Sequence, residues 1–197
     1  VETRCKIIDV VEKGKNAIVI IEHNTYDVST GDQLTSGKLV AFAIGAGSPG
    51  GKTQSPHELP KVETPKRTPD ASITEQTSPD QAALYRLSSG DFNPLHVDPE
   101  MSIMGGFKQP ILHGLCSLGF ATRHVLKTFA AGDGELFDAI RVRFAKPVVP
   151  GQTLRTDMWR DGNRIYFQTS VVENKSAVIT NAYIDLKSIK ITKNSKL

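Results

Sequence analysis

Residues 114–130, which read GLCSLGFATRHVLKTFA, form the longest helical pattern in the chain. Apolar residues recur along this segment at intervals of three and four and make a broad stripe, apolar almost all round in its first half. The stripe consists of Leu115, Leu118, Phe120, Ala121, Val125, Leu126 and Phe129. A helix of this kind is usually buried, so we predict a buried helix at the centre of the fold.

Strand patterns follow this helix to the end of the chain. They lie at Leu136–Phe144, Gln152–Arg160, Arg164–Val172 and Ala177–Lys187. Asp161-Gly162-Asn163, between the middle two, is a strong hairpin signal. Shorter helices are predicted ahead of the long helix, over Asp80–Leu87 after Ser78-Pro79 and from Pro99 to Met104. A long helix with consecutive antiparallel strands predicts an α+β fold.

Three further strands are predicted near the start of the chain, at Cys5–Glu12, Ala17–Tyr26 and Leu34–Ile44. Their plan repeats that of the last strands, and Lys13-Gly14 stands where Asp161-Gly162 stands. This echo fits two tandem copies of one helix-plus-sheet unit, or two β-meanders that merely look alike. On the first interpretation, residues 1–44 are the C-terminal strands of a copy without its head, and 45–77 are a linker rich in Pro and Gly. Residues 78–189 are then a complete copy, and 190–197 a tail.

Composition excludes several classes of protein. The chain has 197 residues, with 24 Lys and Arg against 21 Asp and Glu, an excess too small and dispersed to predict nucleic-acid binding. No apolar run approaches the roughly 20 residues that a membrane span needs. The cysteines, Cys5 and Cys116, form no disulfide framework or metal cluster, so a reducing compartment is the default.

The two termini carry different signals. Ser195-Lys196-Leu197, at a free C-terminus, is an address that the peroxisomal import receptor reads, although it could be an accidental polar tail. Val1-Glu2-Thr3-Arg4 is neither a signal peptide nor an initiator Met, and it reads as an interior cut of a longer chain.

The segment Gly90-Asp91-Phe92-Asn93-Pro94-Leu95-His96 carries two titratable groups five residues apart. Asn93-Pro94 favours a turn that folds the chain back on itself. A carboxylate beside an imidazole can share one water and move its protons near neutral pH. Asp91 and His96 are therefore a candidate acid/base pair, with a solvated turn as the alternative.

The start of the long helix is a second candidate. A helix N-terminus presents unpaired N–H groups, and Gly114 lets a ligand approach the backbone closely. Such a start inside an apolar core is a good place to stabilise an oxyanion. His113 could be a third titratable group, but a structural, hydrogen-bonded role is the commoner one for such a residue.

Three segments together resemble the MaoC-like hot-dog hydratases, within which they are similar to the (R)-specific enoyl-CoA hydratases 2. The segments are Tyr85–Asp98 with its D-x-N-P-L-H motif, Pro110–Leu115 with its His-Gly pair, and Arg143–Leu154. The resemblance covers nearly the whole chain and is weakest over 45–75. It implies a double hot-dog, in which two helices are each wrapped by antiparallel strands and the C-terminal copy holds the motif.

The resemblance also implies roles for individual residues. The family's catalytic Asp and His fall on Asp91 and His96, and its oxyanion N–H falls on Gly114. Its substrate contacts fall on Phe92, Asn93, Pro94, Leu95 and, for the acyl-CoA, Phe144.

The activity implied is that of a hydro-lyase, the addition of water to trans-2-enoyl-CoA to give (3R)-3-hydroxyacyl-CoA in peroxisomal fatty-acid β-oxidation. Coenzyme A enters as part of the substrate, and no further cofactor and no metal are implied. A homodimer is also expected. Two alternatives stay open: a hot-dog acyl-CoA thioesterase that directs the water at the thioester carbon, and a non-catalytic module that binds acyl-CoA or sterol-CoA.

Overall fold

The computed structural model describes residues 1–48 and 50–191, which belong to two compact units divided after Pro60. The first unit contains an antiparallel sheet in the order β1-β2-β3. Its strands are β1 (Glu2–Lys13), β2 (Asn16–Tyr26) and β3 (Gln33–Ala43). The three strands predicted here are confirmed, each with one or a few more residues at an end.

Apolar residues of this first sheet are unevenly buried. The register places Val11 opposite Ile18 and Ile20 opposite Val40, so these four side chains share a face. Val11 and Ile20 are buried, whereas Val40 is exposed. A register shift between Ile7 and Asp9 moves Ile7 out of this alternation, and its side chain is exposed.

The second unit is a five-stranded antiparallel sheet, in the order β4-β6-β7-β8-β5, with three helices. Its helices are α1 (Gln81–Ser89), α2 (Pro99–Met104) and α3 (Gly114–Phe129). Its strands are β4 (Ala71–Gln76), β5 (Phe137–Phe144), β6 (Thr153–Asp161), β7 (Arg164–Val171) and β8 (Ala177–Leu186). No helix among the described residues combines the length and apolar character that a bilayer span requires.

Helix α3 packs against the sheet and supplies one side of the core. Ala121, Val125 and Phe129 are buried on the helix, against a cluster of buried residues from the strands. That cluster includes Leu154, Met158, Ile165, Phe167, Ile179 and Ile184. The predicted central helix is confirmed, but burial does not extend all round, because Leu115 is 59% exposed.

Strand β4 corrects the predicted linker over 45–77. It pairs with β6 from Ala71↔Met158 to Gln76↔Thr153, so the sheet begins inside that range. Half-buried and exposed residues alternate along its six positions, as in an edge strand. Its polar sequence, Ala-Ser-Ile-Thr-Glu-Gln, has little of the β-branched apolar character by which strands are predicted.

A buried histidine ties this edge strand to the helix. His124 Nε2 lies 3.1 Å from Glu75 Oε2, and His124 Nδ1 lies 3.0 Å from the hydroxyl of Thr156 on β6. Arg123 also donates to the Glu75 carboxylate, at 2.7 Å. Burial lowers the pKa of His124, and the Arg123 guanidinium holds the pKa of Glu75 below its usual value. Polar contacts of this kind fix β4 where apolar packing alone is weak.

The core predicts one large stability effect. Phe129 is 1% exposed at the end of α3, so Phe129→Ala should lower the free energy of unfolding by about 3–5 kcal/mol, through lost burial and the cavity it leaves. Leu115→Ala, on the exposed side of the same helix, should change it by less than about 1 kcal/mol. Denaturant unfolding of both variants measures the difference, and equal losses would contradict this account of the core.

Candidate active site

The loop that carries the predicted acid/base pair begins where α1 ends. Gly90 follows the helix with a φ of +73°, in the left-handed region that favours glycine. Its N–H donates to the Arg86 carbonyl, which closes the helix and turns the chain into the loop. The next N–H, of Asp91, donates to the Ser89 hydroxyl at 3.2 Å. The helix end therefore fixes the main chain at Asp91.

The Asn93-Pro94 turn folds the loop back as predicted. Asn93 Oδ1 accepts from the Leu95 N–H at 3.2 Å, and the Asn93 N–H donates to Asp91 Oδ1, also at 3.2 Å. Pro94 opens a short 3-10 helix that ends at His96. This pair of side-chain turns brings Asp91 and His96 to one side of the loop.

His96 is held by the segment that leads into α3. Its Nδ1 lies 2.8 Å from the carbonyl oxygen of Ile111. A carbonyl can only accept, so the proton of the neutral ring sits on Nδ1 and Nε2 keeps its lone pair. The next residue, Leu112, donates its N–H to the carbonyl of buried Val148 at 2.7 Å, which anchors the segment. His96 therefore presents a basic nitrogen in a fixed orientation.

The structure places His113 against this pair. One ligand atom from each of Asp91, His96 and His113 lies within 4.8 Å of the others. The His96 and His113 rings stack with centroids 3.7 Å apart. Burial lowers the pKa of His113, and His96 lowers it further. The structure therefore places His113, for which a structural role was expected, inside the candidate site.

A metal ion fits this cluster poorly, although the three residue types are common ligands. An imidazole nitrogen binds a metal along the plane of its ring. The His96 and His113 planes are only 26° from parallel and face each other. Their ring planes therefore lie close to parallel, which is not the arrangement in which two imidazoles usually share one ion.

Gly114 and Phe144 meet beside the cluster. Gly114 is the first residue of α3, so its N–H has no acceptor within the helix. A Cβ at this position would lie 3.3 Å from Cδ1 of the Phe144 ring, at the end of β5. Gly114 and Leu115 are exposed, whereas His113 and Cys116 are buried. The expectation that the helix starts inside an apolar core is therefore wrong: one side of its first turn is open.

The remaining predicted contacts lie along the outside of the loop. Phe92, Asn93 and Pro94 are exposed, and Leu95 is half-buried. The structure thus brings Asp91, His96 and His113 together. Residues 92–95 form the outer edge of the loop, which we call its rim. What each does for a substrate stays a prediction.

Two residues of α1, at the start of the segment that carries the family resemblance, lie near the site without having been predicted as site residues. The centroids of the Tyr85 and His113 rings lie 4.8 Å apart. Burial raises the pKa of Tyr85. The Arg86 guanidinium lies 4.9 Å from the Phe92 ring, a cation–π contact. Both residues are on α1, five or more positions before the motif, where spacing alone does not connect them to it.

Comparison with known proteins identifies the family. The family model described as "MaoC like domain" matches residues 60–182. The peroxisomal multifunctional enzyme type 2 of Drosophila melanogaster is 51% identical over 94% of this chain, which spans 31% of that protein. Its solved structure superposes with a TM-score of 0.85, at 49% identity over 94% of this chain and 33% of that one. The probable enoyl-CoA hydratase 2 of Dictyostelium discoideum is 42% identical over 95% of this chain and 64% of that protein.

These matches cover both the motif loop and the helix that the sequence placed at the centre of the fold. The predicted α+β hot-dog architecture is confirmed by them together with the observed helix and antiparallel sheet. The chain spans about a third of the length of the first of these relatives. It belongs to the MaoC-like domain family, with the hot-dog fold.

Proposed function

We propose that this chain is an (R)-specific 2-enoyl-CoA hydratase, which adds water to trans-2-enoyl-CoA and gives (3R)-3-hydroxyacyl-CoA. The observation that carries the proposal is the placing of the Asp91 carboxylate and a ring nitrogen of His96 within 4.8 Å. One water can bridge two groups at that separation. The name of the Dictyostelium relative, a probable enoyl-CoA hydratase 2, supports the same activity.

The proposed reaction uses the two sides of the site for different tasks. The thioester carbonyl accepts from the Gly114 N–H, so that negative charge developing on its oxygen is stabilised by the helix N-terminus. Asp91 and His96 hold one water over C3. As the water oxygen bonds to C3, one of the pair takes its proton, and a proton returns to C2. The two groups act as a coupled pair, and the lone pair on His96 Nε2 makes that nitrogen competent to accept.

Phe144 and the rim of the loop supply the surroundings of the thioester. Phe144 lies against Gly114 and is 48% exposed, so its ring can cover one side of a bound acyl-CoA. Phe92 is also exposed, with Arg86 against its ring. The coenzyme A part of the substrate needs no resident cofactor in this scheme.

The activity assay separates hydration from hydrolysis. With trans-2-enoyl-CoA and the complete protein that contains this chain, we expect the enoyl-thioester absorbance to fall without release of free thiol. Thiol release at the same rate would favour a thioesterase. Binding of the acyl-CoA with neither signal would favour a non-catalytic module.

Assembly is part of the proposal. We propose that residues 1–44 are the C-terminal strands of a first hot-dog copy and that the complete protein is a homodimer. Support comes from the strand plan and from the exposed apolar side chains of this sheet, among them Ile7, Leu39 and Phe42. Light-scattering mass of the complete protein tests the dimer, and a monodisperse monomer would contradict it.

Peroxisomal localisation rests on Ser195-Lys196-Leu197, which lies outside the described residues, and on the names of relatives. Deleting this tripeptide should leave turnover unchanged and move the protein to the cytosol, because the import receptor reads only the terminal residues. In a protein that ends at Leu197, one extra residue after it keeps the tripeptide but blocks the free end, and that variant should mislocalise equally. Import of both variants, seen by fluorescence microscopy, would exclude the tripeptide as the address.

A further inference from the structure

His113 contacts both residues of the proposed acid/base pair but is not itself a member of the pair. His113 is 2% exposed. Its ring stacks on that of His96 at 3.7 Å, and the Tyr85 ring lies 4.8 Å from it at a tilt of 48°. The same ring reaches the loop that carries Asp91, since His113 Nε2 is 3.4 Å from the Asp91 carbonyl oxygen. One buried side chain therefore contacts both residues of the pair, His96 through its ring and Asp91 through its main-chain carbonyl.

Hydrogen bonding fixes which nitrogen of His113 carries the proton. The Asp91 carbonyl can only accept, so Nε2 is the donor and Nδ1 is left with a lone pair. Among the described residues, no hydrogen-bond partner reaches this buried Nδ1. A second proton would thus have to be placed on a buried nitrogen, face to face with His96, at a cost in desolvation.

The charged and titratable groups around the ring agree with a neutral His113. Burial and His96 lower its pKa, and Arg86 on α1 acts in the same direction. Asp91 acts oppositely, through its carbonyl and its carboxylate. Tyr85 and Cys116 complete the surroundings; burial raises the pKa of both, to about 11 for the Cys116 thiol, so neither adds a negative charge near neutral pH.

We propose that His113 is a positioning residue for the acid/base pair: its neutral ring holds the plane of His96 by stacking and holds the Asp91 main chain through Nε2–H. The inference rests on the proposed function, because it assigns His113 a task in that reaction. It explains why a polar residue occupies a buried place where a phenylalanine would stack equally well. A ring without the N–H would leave the Asp91 carbonyl unheld.

The wild-type protein provides the first test. Nitrogen-15 NMR of the histidine rings should show His113 as the neutral Nε2–H tautomer down to pH values at which an ordinary histidine is already protonated, because burial lowers the pKa of His113. An Nδ1–H tautomer, or protonation of His113 at the pH of an ordinary histidine or above it, would overturn the proposal. This measurement needs neither a variant nor turnover, so it decides the point even if the chain proves to hydrate no enoyl-CoA.

Kinetics of His113→Phe provide the second test. The variant keeps an aromatic ring against His96 and removes the N–H, so kcat should fall on the order of 10²-fold, as for a small misplacement of a catalytic group. KM should stay within about threefold, and the pH profile of kcat should be displaced. Wild-type kcat with an unchanged pH profile, whatever the melting temperature, would mean that His113 only fills space.

His124→Asn is the matched control. His124 is a buried histidine within α3, the helix that His113 precedes, and it contacts Glu75 and Thr156 rather than the site. Its loss should lower the melting temperature and leave kcat and the pH profile near those of the wild type. If His124→Asn displaced the pH profile as much as His113→Phe, the effect would be one of general stability, and the positioning role would be excluded.

Discussion

Asp91→Asn should lower turnover of trans-2-enoyl-CoA by roughly 10²- to 10⁴-fold, the range that a positioned acid/base group contributes. Asparagine keeps the shape of the side chain, and its Oδ1 can still accept from the Asn93 N–H as Asp91 does at 3.2 Å. It cannot take up and release a proton near neutral pH. The loop should therefore keep its form while the chemistry is lost, and steady-state kinetics with circular dichroism measure both.

His96→Gln should behave in the same way, because a neutral amide offers no basic nitrogen in place of the imidazole. Since the two groups act as a unit, the double variant should lose little beyond the worse single variant. Fully additive losses would argue for separate roles. Near-wild-type turnover in either single variant would show that the pair is assigned wrongly.

Asp98→Asn is the control for the first substitution. Asp98 lies in the same segment and caps α2, where its carboxylate accepts from the Glu100 and Met101 N–H groups. Asparagine is also a good N-cap, so the cost in stability should be small. Turnover should remain near the wild-type value. A loss as large as that of Asp91→Asn would mean that removing any carboxylate from this segment disturbs the site.

Gly114→Val should lower kcat by about 10²- to 10³-fold, the typical cost of removing one oxyanion donor. A Cβ on Gly114 already comes within 3.3 Å of Phe144, and the two methyl groups of valine add bulk where the thioester carbonyl must approach. The melting temperature should change modestly, because the Phe144 side chain is half exposed and can move.

Gly119→Val separates this local effect from a general effect on the helix. Gly119 is on α3 as well, and a Cβ there would meet nothing within 4 Å. Valine should carry a similar helix-propensity change at both positions, without crowding the proposed carbonyl site at Gly119. Normal kinetics in Gly114→Val, or equal losses in both variants, would exclude the Gly114 N–H as the carbonyl's partner.

Much of the fold followed from local patterns. The helix at 114–129 and seven of the eight strands within residues 1–48 and 50–191 were predictable, because apolar periodicity and Gly-containing turns lie within short stretches of sequence. Strand β4 was not, since its place depends on pairing with β6 about 80 residues away and on Glu75 reaching His124. Non-local polar contacts of this kind leave no periodic signal.

The candidate site also has features that local sequence predicts and features that depend on distant residues. The turn at Asn93-Pro94 and the proximity of Asp91 to His96 could be predicted, because they arise within seven residues. The tautomer of His96 depends on Ile111, fifteen residues on, and the stacking of His113 depends on how the α3 entry folds against the loop. Spacing and family resemblance identified the pair, but the structure was needed to show that Ile111 and His113 hold the His96 ring.

The central claim, that the Asp91–His96 pair directs water at C3 of an enoyl thioester, is tested most directly by the fate of the water oxygen. The complete protein would be incubated with trans-2-enoyl-CoA in water enriched in oxygen-18, and the products analysed by mass spectrometry and chiral chromatography. We predict label on the C3 hydroxyl of (3R)-3-hydroxyacyl-CoA, with the thioester intact and with the rate of labelling in Asp91→Asn reduced as much as its turnover. Label in a free carboxylate, or a (3S) product, would contradict the account.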